Sequence, residues 1–438
     1  MEAVKIGLIG LGTVGTGVAK ILIEQRRLLE KKVGRPLILK KIADLDLKRP
    51  RPVDLTGIEL TPKAEELIND PEIDIIIELI GGYEPAKTFI LKAIANGKHV
   101  VTANKALLAL HGEEIFKMAA EHGVDIAFEA SVGGGIPLIK GIKEGLVANN
   151  ILHLFGILNG TANYILTKMT NEGIPFKVAL KEAQEKGYAE ADPTFDVEGV
   201  DTAHKLAILV ALAYGVPINF DAIYIEGISQ IEPIDIKFAQ EFGYKIKLLA
   251  ISRCTEAGIE ARVHPTMIPA EHLLANVNGA YNALLVKGDA VGNVLFYGLG
   301  AGMMPTGSAV VSDVVDLARN LIKGIHQRTP ALAFILEERK PKPILSMDEL
   351  EFKYYFRFAA IDQPGVLSKI AGILGKHNIS IASVVQKGRE LNGAVPIVML
   401  THEAKEANVK QALKEIEGLD VVKGKPMFIR IEDSLRIE

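Results

Sequence analysis

Residues 4–15 read Val4-Lys5-Ile6-Gly7-Leu8-Ile9-Gly10-Leu11-Gly12-Thr13-Val14-Gly15, an apolar run that enters a Gly-x-Gly-x-x-Gly turn. Beyond the turn, Val14, Val18, Ile21 and Leu22 recur at helical spacing, which predicts one helix over 13–30. In a strand–turn–helix unit each of these glycines has a mechanical task. Gly10 permits the tight turn, Gly12 lets the backbone approach a pyrophosphate, and Gly15 lets the helix pack closely on the strand. The helix N-terminus then presents unpaired N–H groups and a positive dipole end to the diphosphate. Such spacings arise by chance in a chain with 41 glycines. The strand before and the helix after favour a nucleotide site over an ordinary tight βα turn.

The pattern continues outward. Strand-like runs at 37–43, 73–79, 99–102 and 125–128 alternate with helical patterns at 85–96 and 105–122, which implies a mostly parallel sheet covered on both faces. Ligands in such sheets bind at the carboxyl ends of the strands. Three loops fall there: Gly10 to Gly15, Gly81-Gly82-Tyr83 and Thr102-Ala103-Asn104-Lys105. Asp44 or Asp46, after the second strand, would accept hydrogen bonds from an adenosine ribose and favour NAD. Arg49 and Arg51 would instead hold the 2′-phosphate of NADP, and both readings stay open.

Composition limits the remaining possibilities. A length of 438 residues with 48% apolar content predicts about three globular domains. The net charge of −4 is dispersed, with no basic stripe, so nucleic acid is not an expected partner. One cysteine, Cys254, excludes an intrachain disulfide and any Cys-x-x-Cys motif, which fits the reducing cytoplasm. The apolar N-terminal run lacks a basic leader, and the longest apolar run, 206–218, is too short to span a bilayer and contains Gly215 and Pro217; no membrane association is expected.

After the sheet pattern comes Glu129-Ala130-Ser131-Val132-Gly133-Gly134-Gly135-Ile136-Pro137. A carboxylate beside inward-turned carbonyls would suit a hard cation, while the same glycines would also serve as a flexible joint. A strand at 151–158 then runs into Asn159-Gly160-Thr161, where Asn159 and Thr161 either cap the next helix or bind a ligand. The richest stretch is Lys186-Gly187-Tyr188-Ala189-Glu190-Ala191-Asp192-Pro193, followed by Asp196, Asp201 and Lys205. Asp201 and Lys205 share a helical face, ordinarily as a solvated ion pair. Here the helix continues apolar all round, so the pair belongs at the mouth of a buried helix lining a cleft. An EF-hand fails on spacing, since the glycine required at its sixth position is Val197.

These motifs, in consistent order over about residues 1–330, resemble homoserine dehydrogenase. The resemblance implies an α/β architecture: a Rossmann-type dinucleotide-binding domain at 1–135 completed by a helix at about 305–320, and an α+β catalytic and dimerisation domain at 136–328. It implies NAD- or NADP-dependent interconversion of L-homoserine and L-aspartate 4-semialdehyde, in threonine, methionine and isoleucine synthesis. Carried onto this chain, Lys205 is the proton donor and Lys105 lies near nicotinamide and substrate. Glu190 and Asp201 bind substrate, with Asn159, Gly160, Thr161 and Tyr188 around it. Gly10, Gly12, Thr13, Val14, Gly15, Asp44, Thr102, Lys105, Gly187 and Gly302 contact the cofactor. Glu129, Val132, Gly134 and Ile136 enclose a monovalent cation, sodium. Many family members carry a basic residue where this chain has Asp44-Leu45-Asp46, which weakens a transfer of NADP preference.

Farther along, strands are predicted at 248–254 and 260–263, and Pro305-Thr306-Gly307 reads as the start of a helix over 308–320. His264 and His272 lack metal-ligand spacing and read as structural. Proline and charge over 327–349 predict an extended linker, assigned to 329–350. Residues 351–438 then form a separate domain in βαββαβ order, a ferredoxin-like arrangement whose Asp362-Gln363-Pro364-Gly365-Val366-Leu367 turn resembles an ACT domain. That resemblance implies amino-acid sensing, with Asp362, Gly365, Val366, Asn378 and Ile379 at an effector interface between paired domains. Threonine is the expected effector and a homodimer or homotetramer the expected assembly; a domain used only for oligomerisation is the alternative. Two other functions fit parts of the pattern, a non-catalytic nucleotide-bound amino-acid sensor and an aspartate dehydrogenase.

Overall fold

The computed structural model describes residues 3–387 and 394–436. The N-terminal third is a six-stranded sheet of β1 (Val4–Ile9), β2 (Leu37–Ala43), β3 (Glu59–Thr61), β4 (Ile75–Glu78), β5 (His99–Thr102) and β6 (Ile126–Ala127). Every pairing is parallel and the order is β3-β2-β1-β4-β5-β6, the doubly wound dinucleotide topology. The near-continuous apolar strands, such as Ile75-Ile76-Ile77, are buried on both faces, as parallel strands must be.

Two helix boundaries differ from the sequence reading. The expected helix over 13–30 is two helices, Thr13–Glu24 and Arg26–Val33, broken at Gln25. The helix expected at 308 begins earlier and spans Met303–Ile322, capped by Gly302. Pro305 sits in its first turn, where the missing N–H would have had no intrahelical acceptor. This helix packs against Thr13–Glu24 and completes the nucleotide domain's core through Val310, Val314 and Leu317. The approach is close enough that a Cβ on Gly17 would lie 2.1 Å from the Met303 carbonyl oxygen.

The rest of the strands form one eleven-stranded sheet, in which the expected C-terminal domain, with a core of its own, is joined edge to edge to the middle third. The middle third supplies β7 (Ile151–Ile157), β8 (Tyr224–Ile225), β9 (Tyr244–Cys254), β10 (Ile259–Pro269), β11 (Tyr281–Gly288) and β12 (Gly292–Leu299). The last third supplies β13 (Glu351–Ile361), β14 (Ile381–Gln386), β15 (Ala394–Thr401), β16 (Ala404–Lys405) and β17 (Met427–Ile431). With the helices Val366–Lys376 and Glu406–Glu417, β13, β14, β15 and β17 make the expected βαββαβ unit. The main path is β12-β11-β7-β9-β10-β17-β13-β15-β14. β10 and β17 join the two units in parallel, Thr266 opposite Arg430 and Met267 opposite Ile431. Each strand would otherwise leave unpaired backbone groups along an open edge, and the junction removes both edges at once.

The expected linker is likewise packed rather than free. Leu332 is 2% exposed, Arg339 pairs with Glu113 at 2.5 Å, and Ile344 bridges Ile259. No described helix is long and apolar enough to cross a membrane.

Candidate active site

The glycine turn is built as its sequence requires. Gly10 has φ +95°, and a Cβ there would lie 2.8 Å from the Leu79 carbonyl. A Cβ on Gly15 would lie 2.0 Å from the Gly10 oxygen, so the helix meets the strand backbone directly. Gly12 differs: a Cβ there would meet no protein atom within 4 Å. It borders a cleft of about 530 Å³ whose lining includes Gly10, Asp44, Leu79, Gly81 and Pro85. Open space at the middle glycine of the fingerprint fits a dinucleotide, whose pyrophosphate needs the backbone bare at that point.

Asp44 is placed at the end of β2, beside this cleft. Its carboxylate accepts from the Leu11 N–H and from Arg51 Nη2 at 3.2 Å, while Arg51 Nε donates to the Leu11 carbonyl at 2.9 Å. The acidic and basic candidates for the ribose end are therefore paired with each other.

Beyond the loop after β4, whose Gly82 carbonyl accepts from the Asn104 amide at 2.6 Å, three elements converge. Asn104 caps the helix Lys105–His122 by accepting from the Leu107 N–H at 3.1 Å, which sets Lys105 at the first helical position. Asn159 caps Gly160–Glu172 by accepting from the Ala162 N–H at 2.8 Å. Its amide then donates to Asp201 at 2.8 Å and to Asp196 at 2.7 Å, so capping and site building are one residue's work. Gly199, at φ +83°, turns the chain into the buried helix Val200–Tyr214, which carries Asp201 and Lys205.

One carboxylate organises the cluster. Lys205 Nζ donates to Asp201 Oδ2 at 2.6 Å and to the Leu158 carbonyl at 2.6 Å; Lys105 Nζ lies 3.0 Å from Asp201 Oδ1. Burial alone would raise the Asp201 carboxyl, but the ammonium groups of Lys205 and Lys105 hold it well below the usual carboxylate range. Burial also pulls the Lys205 ammonium below its ordinary value, against the attraction of Asp201 and with the repulsion of Lys105. Lys105 is shifted up, first by Asp201, against burial. Its side chain is 41% exposed, while that of Lys205 is 10% exposed. The result is a deep lysine disposed to release a proton and a second lysine open to the cleft.

The other expected substrate residues surround this cluster. Thr161 donates to the Tyr188 carbonyl, the Tyr188 ring packs on that of Tyr164 at 4.8 Å with the planes tilted by 35°, and the exposed Glu190 adds negative charge near Lys105. Gly187, at φ +74°, and Gly302, the cap of Met303–Ile322, lie in exposed turns. Two features escaped the sequence reading. Asp196 is raised by burial beside Asp201, and buried Glu78 accepts from Thr102 Oγ1 at 2.7 Å and from the Ile80 N–H, bracing the loops after β4 and β5. Asp196 stood in the quoted acidic stretch; the Glu78–Thr102 contact joins residues 24 apart and has no local signal.

Glu129 is 3% exposed and accepts from the Ile139 and Lys140 N–H groups at 2.8 Å each. Burial and the neighbouring Asp313 carboxylate push it up to about 7. Among the described residues no backbone hydrogen bond reaches the Val132 or Gly134 carbonyls, whereas that of Ile136 accepts from Leu138 N. His264 and His272 are structural, bonded to Arg262 and to the Leu274 N–H. The five expected effector residues are not brought together within one chain. Asp362, Gly365 and Val366 lead into the helix Val366–Lys376, while Asn378 and Ile379 follow its far end, about 16 Å away at 1.5 Å per residue.

Family models described as homoserine dehydrogenase match residues 137–315, its NAD binding domain residues 10–129, and the ACT domain residues 354–421. A homoserine dehydrogenase of Pseudomonas aeruginosa is 49% identical, covering 99% of both chains, and one of Neisseria gonorrhoeae is 48% identical, also covering 99% of both. The crystal structure of a homoserine dehydrogenase from Thiobacillus denitrificans superimposes with a TM-score of 0.93 at 50% identity, covering 99% of each chain.

Proposed function

The chain belongs to the homoserine dehydrogenase family, and from that premise we propose how its residues divide the work of interconverting L-homoserine and L-aspartate 4-semialdehyde. A bound reduced NAD or NADP supplies the hydride. In the reducing direction the carbonyl oxygen gains an electron pair, and Lys205, whose ammonium is already depressed by burial, protonates it. Asp201 accepts from Lys205, Lys105 and Asn159 and acts by fixing both lysines as well as bordering the substrate. Lys105, open to the cleft, holds the oxygen until the proton arrives. Glu190 has capacity for the substrate ammonium, with Asn159, Gly160, Thr161 and Tyr188 as walls. Gly10, Gly12, Thr13, Val14, Gly15, Asp44, Thr102, Gly187 and Gly302 hold the cofactor.

The single observation that carries this reading is the Lys105–Asp201–Lys205 cluster, two ammonium groups on one buried carboxylate. The test is absorbance of the reduced nicotinamide while the protein oxidises L-homoserine, with NAD and NADP in parallel. Turnover is expected with at least one coenzyme; none, in protein that binds cofactor, would refute the assignment.

Three further parts of the proposal rest on less. The bare Val132 and Gly134 carbonyls beside Glu129, with Ile136, support a sodium site. Replacing sodium by choline in the buffer should then lower the melting temperature, and equal melting would remove the site. The separation of the effector residues along one helix supports threonine binding between two copies, hence a homodimer or higher assembly. Threonine should slow turnover in protein that light scattering shows to be at least dimeric. The single cysteine supports a cytoplasmic location.

A further inference from the structure

At the amino ends of the parallel strands, on the side of the sheet away from the glycine turn, three potential ligands meet outside the active cleft. His99 opens β5 and is 2% exposed, Asp125 immediately precedes β6, and the exposed His326 arrives from the segment after Met303–Ile322. One ligand atom of each lies within 4.8 Å of the others, the only such His, Cys, Asp and Glu group among the described residues. The two imidazole rings face each other at 5.3 Å. We propose that His99, Asp125 and His326 form a transition-metal site of the zinc class, which fastens the start of the packed strap to the nucleotide domain.

The argument begins with an unanswered atom. Asp125 Oδ1 accepts from the Gln327 N–H at 2.9 Å, but Oδ2 is buried without a hydrogen-bond partner. A buried carboxylate oxygen left bare is costly. Its nearest counterpart is His99 Nδ1, 3.6 Å away, which itself accepts the Asp125 N–H at 3.0 Å. Two acceptors thus face one another with no donor between them. That spacing is near the ~3.3 Å separating two ligands of a tetrahedral ion with bonds of ~2.0 Å. A cation there takes the Nδ1 lone pair in exchange for the amide bond and answers Oδ2, while Nε2 keeps its proton.

The donor set, two imidazoles and one carboxylate with a fourth position left to water, suits zinc better than calcium or magnesium, which prefer all-oxygen sets. The exposed His326 provides an entry path and turns its ring edge inward to bind. The backbone behind it is already clamped: Gln327 sits at φ +51° while its side chain donates to the Ala119 and Ala120 carbonyls.

The test uses the full chain stripped of metal by a chelator, then titrated with Zn²⁺ alone and, for its visible spectrum, with Co²⁺. One equivalent should bind with the absorption of a four-coordinate cobalt centre. His326→Ala should weaken binding by more than the ~10–100-fold that loss of an outer-shell partner costs. Asp125→Asn, which retains an acceptor for Gln327, should do the same. Both variants should melt like the metal-free wild type. No stoichiometric uptake by the wild type, or undiminished uptake by both variants, overturns the proposal.

Discussion

Two buried charge clusters in this molecule are put together in opposite ways. In the cleft, Asp201 is shared by two ammonium groups, and one of them, on Lys105, remains 41% exposed. At the junction of β10 and β17 the Arg430 side chain is 1% exposed, and its guanidinium is divided among Glu406, Glu226 and the Tyr224 hydroxyl. Nearby, fully buried Asp235 accepts from the Tyr355 hydroxyl at 3.0 Å and from Arg357 Nε at 2.6 Å. The cleft cluster leaves one ammonium group on an open side; the junction closes on itself. An open cluster can exchange a proton with something that enters. A closed one can only hold two units together, which is what charges joining the C-terminal unit to the catalytic sheet must do.

The largest expected effect tests the open cluster. Lys205→Met should lower turnover by about 10²–10⁴-fold, the usual range for a lost general acid, while cofactor binding followed by nicotinamide fluorescence is kept. Melting should fall somewhat, since buried Asp201 loses one of its two ammonium partners, so turnover is compared per folded molecule. Wild-type turnover would reduce the cleft cluster to another structural one.

Next comes the closed cluster. Truncation after Pro343 would expose the β10 edge and leave Asp235 and Glu226 without their partners, so the product should aggregate or melt far below the full chain. A truncated chain that melts like the whole would make the ACT unit an independent appendage. Arg430→Met should cost about 3–5 kcal/mol in urea unfolding, because it strands buried Glu406. Adding Glu406→Gln should recover part of that loss, with turnover per folded molecule unchanged in both.

The smallest effect is in acid. Folding depresses Asp201, so above its ordinary value of 3.8 the carboxylate contributes its full stabilisation. As pH falls below that value the unfolded chain takes up the proton first, and the contribution is lost. The stability gap between wild type and Asp201→Asn should therefore narrow from pH 5 to pH 3; a constant gap would mean that Asp201 is not held ionised by the lysines.

Much of this was legible locally. The helix Lys105–His122 and the strand His99–Thr102 fall where periodicity puts them, because each pattern lies within the element it marks. Asp201 and Lys205 were legible as a buried pair because a four-residue spacing and an apolar helix share one stretch of sequence. Lys105 could not be joined to that pair by spacing, being 96 residues away; only the family resemblance put it there. The break at Gln25 and the early start at Met303 were missed, since no breaker marks the first and proline in a first turn reads as a start rather than as an interior residue.

The sequence by itself determined the nucleotide turn, the order of elements in each unit and the residue types of the cleft, since all follow from near-neighbour geometry. Tertiary structure alone decided that Lys105 and Lys205 share one carboxylate, that the proline-rich connection is packed, and that β17 completes the edge left by β10. Met427–Ile431 reads as an ordinary strand, and its partner is chosen by which open edge the folded chain brings alongside it, information that no local pattern contains.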